Sequence, residues 1–231
     1  MPGNKGDLKV GWINDNGSWY YTNHRGILQT GWVDINGTWY HFDASGRLQT
    51  GWLNDNNSWY LLSSNGWMYT GWAQVGNTWY LFDNTGRMQT GWKDVNGSWY
   101  YLSSSGAVQT GWINNSGLWY YLNGSGALQT GWINVDGSWY YSNSRGEMQT
   151  GWTNINGTWY YFNQSGRMQT GWLNDAGRWY LLSANGWMYT GWAQTGNTWY
   201  YFDNSGWMHT GWTDVNGTWY KLDNQSGAWQ Q

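Results

Sequence analysis

The sequence predicts an all-β fold, a solenoid of stacked β-hairpins in about eleven repeats of 20 residues. Three observations carry that prediction. Gly-Trp returns every twenty residues, from Gly11-Trp12 to Gly211-Trp212. A second Trp follows seven positions later, from Trp19 to Trp219, so these two positions account for all but four of the 26 tryptophans. Between the two stands a two-residue turn signal, Asn16-Gly17 in the first copy. A strict short period decides the architecture more firmly than chain length does.

Residues 1–10 read as a partial repeat and N-terminal cap. Gly6 lies twenty before Gly26, and Leu8 twenty before Leu28, so the chain is expected to start in the second half of a repeat. It therefore reads as a piece of something longer, fused to another domain in the parent protein. Residues 11–210 hold ten repeats, and 211–231 the final repeat with a C-terminal cap.

Each repeat opens with a hairpin. Ile13–Asp15 and Ser18–Thr22 flank Asn16-Gly17, and Asn-Gly between two short strands favours a type I′ turn because both residues need positive φ. Asn-Gly recurs at 36–37, 96–97, 156–157 and 216–217, with Asp136-Gly137 equivalent and Asn56-Asn57, Ser116-Gly117 and Ala176-Gly177 weaker. Gly76-Asn77 and Gly196-Asn197 put Gly first, which suits type II′ at the same loop length.

A connector follows. It carries a second Gly, at 26, 46, 66 and on to 206, with Asn, Asp or Ser three residues earlier. That pair suits a polar turn closed at positive φ. Two residues after the Gly comes an apolar side chain: Leu28, Leu48, Met68, Met88 and so on to Met208. The position between varies (Ile27, Arg47, Trp67, Arg87) and is expected to face water, with Trp67, Trp187 and Trp207 as surface rings. The last repeat breaks step at Asn224-Gln225-Ser226-Gly227, and Trp229 stands where Met or Leu would be. A modified final repeat suits a cap or a homodimer contact. A longer period also exists, since Gly51–Tyr100 returns as Gly171–Tyr220.

Composition narrows function. Aromatics are 21 % of the chain and charged residues only 10 %. Leu and Val are sparse, so a conventional aliphatic core is not expected and rings must supply the buried area. Net charge is −3 with no basic cluster, which excludes nucleic acid as a partner. No apolar run is long enough to span a membrane. There is no Cys. His24, His41 and His209 stand at three different repeat positions without metal spacing, and no phosphate-binding loop is present. No catalytic residue, metal or cofactor is expected.

The two-residue turn sets Asp15 against Ser18, Asn14 against Trp19, Ile13 against Tyr20 and Trp12 against Tyr21. Side chains alternate between faces. Trp12, Trp19 and Tyr21 therefore share one face, with the two Trp Cβ atoms roughly 7–8 Å apart on a diagonal. Tyr20 and its equivalents, through Tyr220, occupy the other face in every repeat. If hairpins stack, Trp12, Trp19 and Tyr40 make three walls over an apolar floor from Leu28 or Leu48. Such a box suits a quaternary ammonium, attracted to ring faces by ~0.5–2 kcal/mol each.

The pattern Thr-Gly-Trp-x4-Gly-x-Trp-Tyr-Tyr-x4-Gly-x-Met resembles the choline-binding, or cell-wall-binding, repeats of Gram-positive surface proteins and lysins, from Gly6 to Trp229. The resemblance implies a left-handed superhelix of hairpins that binds choline, the phosphocholine of teichoic acids, between consecutive repeats. It implies an extracellular, cell-wall-associated protein, or one released by lysis if it comes from a phage lysin. Carried residue by residue, the first site is Trp12, Trp19 and Tyr40, and the second Trp32, Trp39 and Tyr60. Then come Trp52, Trp59 and Tyr80; Trp72, Trp79 and Tyr100; and Trp92, Trp99 and Tyr120. The second half repeats the scheme with Trp112, Trp119 and Tyr140; Trp132, Trp139 and Tyr160; and Trp152, Trp159 and Tyr180. Trp172, Trp179 and Tyr200 make the ninth, and Trp192, Trp199 and Tyr220 the tenth. The family's Met is Leu or Val at 28, 48, 108 and 128, which sets nearby sites apart. Two other readings compete: a glucan- or polysaccharide-binding repeat module, and a structural scaffold in which the Trp residues are only core.

Overall fold

The computed structural model describes residues 9–230; Gly6 and Leu8, which set the expected N-terminal half-repeat, lie outside them. Among the described residues there is no helix. Twenty-two strands of five residues, β1 (Gly11–Asp15), β2 (Ser18–Thr22) and so on to β22 (Thr218–Leu222), pair as eleven two-stranded antiparallel sheets. The register is the one the turns dictate: Trp12 faces Tyr21, Ile13 faces Tyr20 and Asn14 faces Trp19.

Both residues of the Asn16-Gly17 turn have positive φ (49° and 83°), whereas Gly76 (60°) is followed by an Asn that does not. Type I′ and II′ turns thus alternate without changing loop length. The residue three before the turn Gly reinforces it: the Gly37 amide donates to Asp34 Oδ1 at 2.7 Å.

The connector folds back on its own hairpin. Leu48 bridges Phe42, and the Gln49 amide donates to the His41 carbonyl at 2.8 Å. The residue opening the connector acts as a side-chain turn: Asp43 Oδ1 accepts from the Ser45 and Arg47 amides, at 2.8 and 2.9 Å. The Ser45 hydroxyl, then the Arg47 amide, hold the Asp43 carboxyl below the usual carboxylate range.

Two compact units divide the chain: Met1–Gly111 with Leu122–Ala127, and Trp112–Tyr121 with Leu128–Gln231. Inside each unit, backbone bonds tie hairpin to hairpin. The Leu48 amide donates to the Trp19 carbonyl at 2.8 Å in the first unit, and the Met168 amide to the Trp139 carbonyl at 2.8 Å in the second.

The buried core mixes rings with aliphatic side chains: Phe42 packs with Ile35 and Tyr40, Phe82 with Leu61 and Ala73, and Phe202 with Leu181 and Ala193. Phe42, Phe82, Leu102 and Leu122 in the first unit are fully buried, as are Ser142, Phe162, Leu182, Phe202 and Leu222 in the second. This column stands at the last strand residue of each hairpin. Burying one Phe or Leu is worth roughly 1.5–3 kcal/mol, so this position contributes to the stability of each unit. The Trp pairs are not this core.

Candidate functional site

Strand alternation places the first and second Trp of a hairpin on one face, and stacking brings the Tyr of the next hairpin against the first Trp. Trp12 meets Tyr40 with ring centroids 4.9 Å apart at 70°. Trp32–Tyr60, Trp52–Tyr80 and Trp72–Tyr100 repeat this at 4.7, 4.8 and 4.9 Å in the first unit. In the second unit Trp112–Tyr140, Trp132–Tyr160, Trp152–Tyr180, Trp172–Tyr200 and Trp192–Tyr220 span 4.6 to 4.9 Å. The second Trp closes the trio from the solvent side. From Trp19 to Trp199 it is between 39 % and 47 % exposed, against 64 % for Trp219 in the final hairpin. That difference measures what a following repeat covers.

The trios enclose open cavities. One of about 380 Å³ is lined by Trp12, Trp19, Tyr40, Leu48, Ser64, Asn65 and Trp67. One of about 370 Å³ is lined by Trp132, Trp139, Tyr160, Met168, Ala184 and Asn185, and one of about 320 Å³ by Trp152, Trp159, Tyr180, Met188, Asn204 and Ser205. A wider one of about 550 Å³ lies at Trp72, Trp79 and Tyr100, where the floor is Val108. Shorter Val fills less of the box than Met or Leu.

These linings sharpen the sequence reading in three ways. The floor of the first cage is Leu48; Leu28 instead packs against Gly46, where an added Cβ would meet its Cδ2 at 2.6 Å. The rim comes from the connector two repeats ahead, which the sequence reading did not include. Trp67, taken as a plain surface ring, also stands in the lining of a cage. Its counterpart Trp187 forms a bridge with Tyr160, a wall of the cage at Trp132. The signal for this rim was present in the positional variability after the connector Gly, which marks where repeats differ.

The connector Gly has a second reason to be Gly. A Cβ on Gly186 would meet Met168 Sδ at 2.3 Å, and one on Gly126 would meet Val108 Cγ1 at 2.4 Å. The rim therefore presses on the floor of the cage it serves.

The cages fall into two kinds. Among the described residues, the two Trp rings of four hairpins meet edge to face at 6.1 to 6.3 Å: Trp12–Trp19, Trp52–Trp59, Trp132–Trp139 and Trp172–Trp179. Each of those first Trp residues lies against a column Phe, at 5.8 or 5.9 Å. Where the column residue is Leu, at Trp32, Trp72, Trp152 and Trp192, no such Trp pair forms among the described residues. Ring-on-ring packing behind the wall thus sets the angle of the wall. At Trp192 the floor itself is aromatic: Trp229 lies 6.1 Å from Trp192 and 6.3 Å from Tyr220.

Charge is sparse and uneven around the trios. The Trp32 indole N–H donates to Asp55 Oδ2 at 3.0 Å, and the Trp152 indole N–H to Asp175 Oδ2 at 3.0 Å. The Arg87 Nε–H donates to Tyr60 Oη at 3.4 Å, and that bond holds the guanidinium above its usual value. Arg178 lies over the Trp207 ring, 3.3 Å from its centroid. Among the described residues no group of three His, Cys, Asp or Glu side chains could hold a metal. Among the described residues no helix is long and apolar enough to cross a membrane.

The choline-binding repeat family matches at residues 29–70, 89–130, 149–190 and 189–229, and the putative cell wall binding repeat at 10–26, 70–88 and 130–148. Among solved structures, CbpJ from Streptococcus pneumoniae TIGR4 is similar at 33 % identity, with 96 % of this chain and 94 % of that one covered and a TM-score of 0.73. Choline binding protein F from Streptococcus pneumoniae is similar at 31 % identity, with 96 % and 93 % covered and a TM-score of 0.73. The modular autolysin LytC of the same organism shares the fold at 23 % identity and a TM-score of 0.63, with 96 % of this chain and 53 % of that one covered. No curated protein sequence matches the chain.

Proposed function

The chain belongs to the choline-binding repeat family, and from that membership we propose that it is a non-catalytic cell-wall-binding module whose cages take the trimethylammonium group of choline, presented as phosphocholine on teichoic acids outside the cell. The observation that carries this reading is the trio itself: a Trp and a Tyr 4.6 to 4.9 Å apart, a second Trp on the open side, and an apolar floor. A quaternary ammonium has no N–H to satisfy, so a box of ring faces meets its needs. A sugar would ask for hydrogen-bonding groups beside the plate. The cage at Trp132 is lined by three rings, Met168, Ala184 and Asn185, so Asn185 is its one amide side chain.

Three ring faces at ~0.5–2 kcal/mol each, set against the cost of immobilising the ligand, give weak single sites. A dissociation constant near one millimolar corresponds to about −4 kcal/mol. Several cages on one chain, meeting a polymer with many cholines, gain ~10²–10⁴-fold through effective concentration. Retention on a choline resin and elution by free choline test it, together with a rise in melting temperature on adding choline. Passage through the resin, with a melting shift from a glucan oligosaccharide instead, would reject it.

A further inference from the structure

Two cages, 120 residues apart, combine a carboxylate bonded to the first Trp with a guanidinium at the rim. The cage at Trp112 has Arg167 at its rim, bonded to the Ser138 hydroxyl at 2.7 Å, but Val135 in place of the carboxylate. At Trp32, Trp39 and Tyr60 the Trp32 indole is bonded to the Asp55 carboxylate at 3.0 Å. Arg87 touches the opposite wall, donating to Tyr60 Oη at 3.4 Å. Arg87 holds the repeat position that Trp67 holds at the mouth of the preceding cage. The guanidinium is exposed; the Asp83 carboxylate acts on it electrostatically but, among the described residues, forms no ion pair with it.

The second cage, Trp152, Trp159 and Tyr180, has the same carboxylate, with Trp152 bonded to Asp175 at 3.0 Å. Its rim position holds Trp207 in place of Arg87, yet a guanidinium is present by another route. Arg178, two residues before Tyr180 and on the same strand face, is stacked on Trp207 at 3.3 Å. Where Arg178 stands, the first cage has Ser58. The cage at Trp132 offers the contrast, with Ile155, Thr158 and Trp187 at the corresponding positions.

We propose that these two cages read phosphocholine as a zwitterion, with the ammonium between the rings beside Asp55 or Asp175 and the phosphate on the guanidinium of Arg87 or Arg178. This rests on the choline reading above and adds a phosphate subsite to it. An arginine here has a cost for bare choline, because it places a positive charge near the ammonium. A phosphate on the same ligand turns that repulsion into attraction. Arginine N–H groups beyond the one on Tyr60 remain free to donate to phosphate oxygens, and such charge-assisted bonds are the stronger class. The guanidinium is exposed, so the gain is screened by salt.

The test follows the indole N–H signals of Trp32, Trp152 and Trp132 by NMR in the full chain, each identified by its loss in the Trp→Phe variant. Choline and phosphocholine are titrated separately at low and high salt. At Trp32 and Trp152 phosphocholine is expected to bind about three- to tenfold more tightly than choline at low salt, and the preference to shrink with salt. At Trp132 the two ligands should bind alike. Arg87→Gln should abolish the preference at Trp32 and leave it at Trp152. Arg178→Ser, which installs the residue of the first cage, should do the converse. Equal preference at all three cages, or preferences unmoved by the Arg variants, would overturn the phosphate subsite while choline binding stands. Choline moving none of the three signals would overturn the choline reading itself.

Discussion

Replacing Gly126 by Ala separates backbone strain from the pressure of rim on floor. Gly126 has φ of +85°, and an Ala there pays roughly 1–2 kcal/mol for the left-handed conformation. Its Cβ would also lie 2.4 Å from Val108 Cγ1 and 3.3 Å from the Gln109 carbonyl oxygen. Val is stiff at χ1 and its backbone is tied, the Val108 amide donating to the Trp79 carbonyl at 2.9 Å. Overpacking against a side chain that cannot retreat costs ~1–3 kcal/mol more. The expected total is ~2–5 kcal/mol. Gly177 is the control: φ is +80° and a Cβ would meet nothing within 4 Å, so Gly177→Ala should cost only the ~1–2 kcal/mol of strain. Gly186→Ala is the third member. There the obstacle is the flexible Met168, which can move away, but only into the cage it floors. Its stability loss should fall between the other two, with choline affinity at Trp132 lowered. Urea unfolding of the three variants, followed by choline titration, reads both quantities. Equal losses for Gly126→Ala and Gly177→Ala would refute the steric role of the connector Gly.

Other changes test the column and the turns. Ser142 is fully buried and its Oγ has no hydrogen-bond partner among the described residues; Ser142→Leu, the residue used at 102, 122 and 182, should raise stability by ~1–3 kcal/mol in urea unfolding. Phe162→Leu should cost ~1–2 kcal/mol and loosen the Trp132–Trp139 edge contact, visible as a loss of about a quarter of the tryptophan exciton signal in circular dichroism, since four hairpins carry such a pair. The Asp43 carboxyl is depressed, first by the Ser45 hydroxyl and then by the Arg47 amide. Its contribution is therefore complete above the ordinary carboxylate value and is lost as pH falls through the lower native one. The Ser45 and Arg47 amide protons, followed by NMR against pH, should show that loss in the native chain and not in Asp43→Asn.

The hairpins and their register were legible because a two-residue turn leaves one pairing, and parity then assigns every side chain to a face. Trp12 and Tyr40 could be placed together by the same reasoning, before any contact was measured. The column of Phe42, Leu102 and Ser142 was not legible. Its chemistry changes from repeat to repeat, and a buried position that accepts Thr, Ser, Leu and Phe looks like tolerance. The choice of Leu48 over Leu28 as floor depended on the backbone bond from Leu48 to Trp19, which no sequence pattern announces. The connector Gly was read for its φ alone, since the approach of Val108 to Gly126 or of Met168 to Gly186 involves a neighbour eighteen residues away in the chain. The Asp55 and Arg87 contacts were hidden for another reason. Arg recurs at its position only at 47, 87 and 167, and Asp at its own only at 15, 55 and 175, whereas the motif directs attention to what every repeat shares.

A cage whose walls, floor and rim come from three successive repeats, as at Trp12, Tyr40 and Asn65, cannot be inherited one repeat at a time. Exchange of a single 20-residue unit alters up to three sites together, giving one its new pair of walls, another its floor and a third its rim. A recombination event that conserves a working site must move several repeats as a parcel. The stretch Gly51–Tyr100, which returns as Gly171–Tyr220, carries the walls and floor of one site, Trp52, Trp59, Tyr80 and Met88, in one piece, while the rim position falls in the connector beyond it. Divergence after copying then falls on single rim or strand positions, as with Arg87 against Trp207 and Ser58 against Arg178, so an array of copied sites can acquire members with different tastes while the frame that holds them stays the same.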